Sequence, residues 1–213
     1  MRPPRLALRP AALAAVLAAA LATGACTVDL PGNQPPPRLF VLTPKNTFPA
    51  DLPQVTWQLS VDVPIAEAGL NTARIAVRRS PYTLEYFERA GWTDTAPRMI
   101  QTLLVESFEN TGRIVAVARQ SVSIRADYIL VPELREFQAE YASPTAVPEI
   151  RVRLNAKVIR QPQRAIVASE NFEAVVPAAS NSMGDIIAAF DDAMGKVLKR
   201  TVEWTLAEAE RAK

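Results

Sequence analysis

Residues 55–63 (VTWQLSVDV) put Val55, Trp57, Leu59, Val61 and Val63 on one side of an extended chain, and Thr56, Gln58, Ser60 and Asp62 on the other. Successive side chains of a strand point to opposite faces, so this alternation predicts a half-buried strand. Shorter strands are predicted at 39–42 (LFVL), closed by Thr43-Pro44, at 74–78 and 82–87, broken at Ser80-Pro81, and at 115–118. Residues 66–72 read as a short helical or turn segment. Three long candidates, 127–141, 149–160 and 165–176, are separated by short turns only, which predicts an antiparallel meander. In the middle one Ile150, Val152, Leu154, Ala156 and Val158 alternate with Arg151, Arg153, Asn155 and Lys157. One face of that sheet is therefore expected to be wet, or to be an interface between copies of the chain.

The spacing changes at two places. Asp94-Thr95-Ala96-Pro97 reads as a helix start, with a capping side chain and a proline in the first turn, where its missing N–H costs nothing. The helix carries Ile100, Leu103, Leu104 and Phe108 on one face and stops at Asn110-Thr111-Gly112. A long C-terminal helix is predicted from Met183 to Ala209. Its stripe of Ile186, Ile187, Phe190, Met194, Val197, Leu198, Thr201 and Trp204 is broad enough to favour packing on the sheet over a coiled coil or a membrane-surface helix.

The first 25 residues belong to a different regime. Arg2, Arg5 and Arg9 precede twelve consecutive apolar residues (11–22) and then Thr23-Gly24-Ala25-Cys26. This is the layout of a secretory signal, and twelve apolar residues are too few to cross a bilayer, which takes roughly twenty. Cys26 is the only cysteine, so it cannot form an internal disulfide, and it sits directly after the small residues. It resembles the lipidated cysteine of a lipobox, with Thr23 where such motifs prefer Leu. An ordinary secreted chain with an incidental thiol is the lesser alternative. Residues 27–37 (TVDLPGNQPPP) read as an extended linker that reaches about 30 Å at ~3.1 Å per residue. The expected organisation is a signal over 1–25, a lipidated terminus and linker over 26–37, and one domain over 38–213.

Charge and composition then narrow the chemistry. Without residues 1–25 the chain keeps 21 of its 24 basic residues and all 22 acidic ones, a formal −1, so nothing asks for nucleic acid. There is no histidine. That removes Ser-His-Asp and Cys-His triads, most zinc sites and the usual near-neutral base. No phosphate-cradling glycine motif is present, so no cofactor is expected. Asp191-Asp192 reads as the solvated face of the last helix rather than a metal site. Glu133, Glu136 and Glu140 share one strand with Arg135, and nothing points to a carboxylate pair in a cleft. No catalytic residue is assigned. Tyr82, Tyr86, Phe87 and Trp92 lie close together; core packing is the favoured reading, and a patch for a partner or an acyl chain the alternative.

The segment 79–109 (RSPYTLEYFERAGWTDTAPRMIQTLLVESFE) combines Tyr-x3-Tyr, a Gly-Trp and a Pro-Arg-Met helix start. It resembles the ABC-type transport auxiliary lipoproteins, the PqiC-like components of Pqi- and Mla-type systems. Leu42-Thr43-Pro44, soon after Cys26, is similar to that family's opening, and long strands before a C-terminal helix are similar to its later part. The resemblance covers about residues 26–205. It implies a single α/β domain with a mixed, mostly antiparallel sheet flanked by helices. It further implies a non-catalytic docking subunit whose partners are a mammalian-cell-entry (MCE) protein and the permease and ATPase of an intermembrane lipid transporter. A stand-alone envelope lipoprotein that binds lipid or activates a cell-wall enzyme is the alternative, and oligomeric state is left open. Thr27 is not the Asp of an inner-membrane retention signal, which favours the periplasmic side of the outer membrane, with the inner membrane as the alternative.

Overall fold

The alternation at residues 55–63 becomes an interior strand of the sheet. The structure, a computed structural model, describes residues 36–119 and 125–213. The signal segment, Cys26 and the linker up to residue 35 lie outside the described residues. The strands are β1 (Arg38–Phe40), β2 (Val55–Val61), β3 (Ile65–Ala66), β4 (Arg74–Ser80), β5 (Thr83–Trp92), β6 (Ile114–Arg119), β7 (Tyr128–Glu140), β8 (Glu149–Arg160) and β9 (Ala165–Pro177). The helices are α1 (Ala96–Asn110) and α2 (Met183–Arg211). The stretch Pro37–Lys213 is one compact unit and holds the whole described core.

β7 organises the sheet. Along one edge it pairs antiparallel with β8 from Tyr128↔Arg160 to Glu140↔Glu149, and β8 pairs the same way with β9. This is the expected meander. Along its other edge β7 takes β2, β3 and β4 in turn as short parallel partners. β6 extends the sheet beyond β2, and β5 and then β1 extend it beyond β4. The sheet is thus mixed, and its two longest ladders are antiparallel.

Both helices pack on one face and against each other, α1 over β2 and β6, α2 over β8 and β9. The apolar positions of each strand turn to them: Val55, Trp57, Leu59 and Val61 from β2, and Ile150, Val152, Leu154, Ala156 and Val158 from β8, are all buried. From α2 come Phe190, Met194, Val197 and Leu198. The rings of Trp92, Phe137 and Phe190 meet with centroids 5.1–5.3 Å apart, so β5, β7 and α2 share one aromatic knot. The stripe on α2 is a core face, as its breadth implied.

Local details depart from the sequence reading. The first strand is only Arg38–Phe40, because its partner β5 offers three residues, Ala90, Gly91 and Trp92. β5 runs on to Trp92 rather than ending at Phe87. Thr95 is the N-cap of α1, yet its side chain caps nothing. Pro97 lacks one of the N–H groups such a cap would take, and the Asp94 carboxylate accepts the Thr95 N–H instead, at 2.7 Å. α2 does carry a working cap: the Ser182 hydroxyl accepts the Asp185 N–H.

Candidate docking face

The face of the sheet away from the helices is where the polar half of the alternation goes. Glu136, Gln138 and Glu140 of β7 lie beside Arg153 and Arg151 of β8, and beyond those lies Glu173 of β9. On the other side Arg78 of β4 stands in register with Glu140. The resulting lattice crosses four strands. Arg78 Nη1 donates to Glu140 Oε1 at 3.1 Å and lies 3.6 Å from Glu136 Oε1. Arg151 donates through Nε to Glu140 Oε2 at 3.0 Å and through Nη1 to Glu173. Arg153 Nε sits 2.9 Å from Glu136 Oε2, an ion pair out of line for a hydrogen bond. One row further on, Arg135 reaches Glu133 and Asn171, and Asn155 also donates to Asn171.

Electrostatics follow from the packing. Partial burial by itself would push the Glu140 carboxyl up. Hydrogen bonds from Gln138 and Arg151, with the charges of Arg151 and Arg78, outweigh that and hold it below its ordinary value. Arg151 is held further up, chiefly by its hydrogen bond to Glu140. Asp62, past the end of β2, goes the other way: burial raises its pKa, and its Oδ1 has no hydrogen-bond partner among the described residues. Where β4, β7 and β8 meet, Arg78, Arg79, Pro81, Tyr141 and Glu149 line an open depression of about 560 Å³.

Glu133, Glu136 and Glu140 do fall on one face, but each is engaged by an arginine on an open sheet rather than held in a cleft. A depressed Glu140 is the opposite of a general acid, whose pKa must be raised. No group of three or more acidic, histidine or cysteine side chains among the described residues is placed to hold a metal. Asp192 pairs with Lys196 at 2.9 Å on the solvated side of α2. Asp191 does more than the solvated reading allowed: it accepts the Thr43 N–H at 2.7 Å and the Thr43 hydroxyl at 2.8 Å, pinning the segment after β1 to the helix.

The aromatic cluster divides. Trp92 is fully buried; Tyr86 and Phe87 are half-buried. Tyr86 donates its hydroxyl to Gly69 O at 3.0 Å under the Arg74 guanidinium, 3.8 Å from the ring centroid. Tyr82, at the β4–β5 turn, is 96% exposed and contributes nothing to the core. Sequence reasoning missed Arg78 as a member of the lattice. Its only signal is the Arg74–Ser80 strand itself, since pairing with Glu140 depends on a parallel register that no turn announces.

The fold and its surface define an α/β domain with one helix-covered and one open, ion-paired sheet face. The model of the family described as ABC-type transport auxiliary lipoprotein component matches residues 40–201, and the chain belongs to that family. It is similar to the crystal structure of protein XCC0632 from Xanthomonas campestris, with a TM-score of 0.73 and 35% identity over 83% of this chain and 95% of that one. A second crystal structure, of an uncharacterized protein, shares the fold at a TM-score of 0.57 and 13% identity, over 84% of this chain and 99% of that one. Among curated proteins the chain is 30% identical over 172 residues to the uncharacterized protein bll6063 of Bradyrhizobium diazoefficiens. That match takes in 77% of this chain and 43% of bll6063, so the chain spans less than half of that relative's length.

Proposed function

We propose that this chain is a lipid-anchored, non-catalytic docking subunit of an ABC-type, MCE-dependent intermembrane lipid transporter. The observation that carries the reading is the family match over residues 40–201. The anchor is Cys26, acylated after removal of residues 1–25, and the domain faces the periplasm from the inner leaflet of the outer membrane. Its partners are the MCE-domain protein and the permease and ATPase of the same system. The charge-laced open face supports a recognition role, because alternating Arg and Glu in fixed register favour a complementary partner and penalise others.

Carriage of lipid inside the domain fits less well. An acyl chain would have to sit between sheet and helices, where Leu154, Val158, Phe190, Val197 and Leu198 are fully buried. The test is a crosslinked pull-down of the tagged lipoprotein from membranes, alongside a Cys26→Ala variant. The expected result is recovery of an MCE protein with the native chain and a clear loss of both lipid and partner with the variant. Repeated recovery of no MCE protein would overturn the proposal.

A further inference from the structure

The open face is not uniformly charged. At the end opposite the Arg–Glu lattice, Ile129 of β7, Ile159 of β8 and Ile166 of β9 stand side by side in cross-strand register. Their neighbours Leu130 and Val158 turn to the core, so all three isoleucines face away from the helices. Ile166 is 60% exposed and lies on an edge strand with no partner beyond it among the described residues. The next row on the same face holds Val131 and Lys157. Arg164 projects from the β8–β9 turn, where its φ of 55° puts a non-glycine residue in the left-handed region. Neither Lys157 nor Arg164 has an ion-pair partner among the described residues, in contrast to the arginines of the lattice. The nearby acids are engaged elsewhere: Asp127 accepts the Gln58 N–H at 2.8 Å, Glu133 in the following row pairs with Arg135, and Glu170 on β9 accepts the Asn171 N–H.

From this geometry we infer that the Ile129–Ile159–Ile166 row with Lys157 and Arg164 is a second, non-covalent membrane contact that lays this end of the domain on an anionic phospholipid surface. Apolar side chains rimmed by unpaired cations match a surface that is anionic outside and apolar beneath. The inference rests on the proposed anchor at Cys26. A domain of this size is roughly 40 Å across, and a leash of about 30 Å keeps it close to the bilayer without choosing which side rests there. The isoleucine row makes that choice. It leaves the Arg–Glu lattice at the other end of the same face, about 30 Å away along β7 at roughly 3.3 Å per residue.

The experiment uses the chain from Thr27 onward, made without lipid, in sedimentation with vesicles. One set holds equal phosphatidylglycerol and phosphatidylethanolamine, the other phosphatidylcholine alone. Binding to the anionic vesicles that falls as salt rises is expected. A K157E/R164E variant should lose roughly tenfold or more in affinity, since each basic residue at a membrane surface is worth about 1 kcal/mol. Ile166→Ser should weaken binding at low salt while circular dichroism stays unchanged. No binding at low salt, equal binding to phosphatidylcholine, or native-like binding by the charge-reversed variant would overturn the inference. So would a charge-reversed chain that still binds vesicles but no longer recovers transporter subunits, which would make this end a protein interface. If vesicle binding fails while the pull-down still recovers an MCE protein, the proposed function stands and this inference alone falls.

Discussion

Two carboxylates, Glu140 on β7 and Asp62 just past the end of β2, give opposite pH signatures. Glu140 is held below its ordinary value, so its ionised form favours the folded state. The stability it contributes is complete above the unfolded carboxyl pKa and is lost as pH falls through the lower folded value. Glu140→Gln should therefore cost on the order of 1 kcal/mol at pH 7, after allowing for solvent screening, and progressively less below about pH 4.5. Urea midpoints across pH check this; a gap that widens in acid would contradict it. Asp62 carries the reverse sign, because burial raises its pKa and ionisation favours unfolding. Asp62→Asn should raise the urea midpoint at pH 7 and leave it nearly unchanged at pH 3. Neither role could be read from residue type. Glu133, Glu136 and Glu140 were legible as acids on one strand. Which arginine meets which depends on the bulge between Leu134 and Glu136, which resets the register of β7 against β8.

The elements were legible where one face was buried and the other wet. β2, β8 and α2 announce themselves because each repeats its apolar residues at its own structural period over many residues. β1 was legible only as the short apolar run 39–42 closed by Thr43-Pro44, and the two-residue β3 is too short to show any period. The two-residue turn at Pro81-Tyr82 was legible from Ser80-Pro81, whereas the continuation of β5 through Arg89 was not, since Arg89 adopts a φ of 55°. Packing fixes how the elements depend on each other. Phe190 joins α2 to β5 and β7 through Trp92 and Phe137. Phe190→Ala should cost about 3–5 kcal/mol, as large core aromatics generally do. Hydrogen exchange should show α2 and β7 losing protection together. Retained protection in β7 with a frayed α2 would mean that the helix is a separable element.

At the scale of the whole molecule, the proposed mechanism makes what the chain does depend on where it is held. A domain with a buried apolar core and the glutamates of its open face paired to arginines has a shape and a charge pattern to offer, and on the proposed reading both act only at a set distance from a membrane. Residues 27–37 supply that distance in the proposed mechanism. Deleting residues 29–36 would remove about 25 Å of reach at ~3.1 Å per residue while leaving the Pro37–Lys213 unit untouched. A binding event between tethered partners runs at an effective concentration that collapses once the linker cannot span the gap. The shortened chain should therefore keep its thermal midpoint and its membrane fractionation yet lose most of its recovery of the MCE protein. Replacing the deleted stretch with eight residues of unrelated proline-rich sequence should restore that recovery, because length and stiffness carry the effect. If the replacement fails where the native stretch succeeds, the linker is itself a recognition sequence, and the positional account of this subunit is wrong.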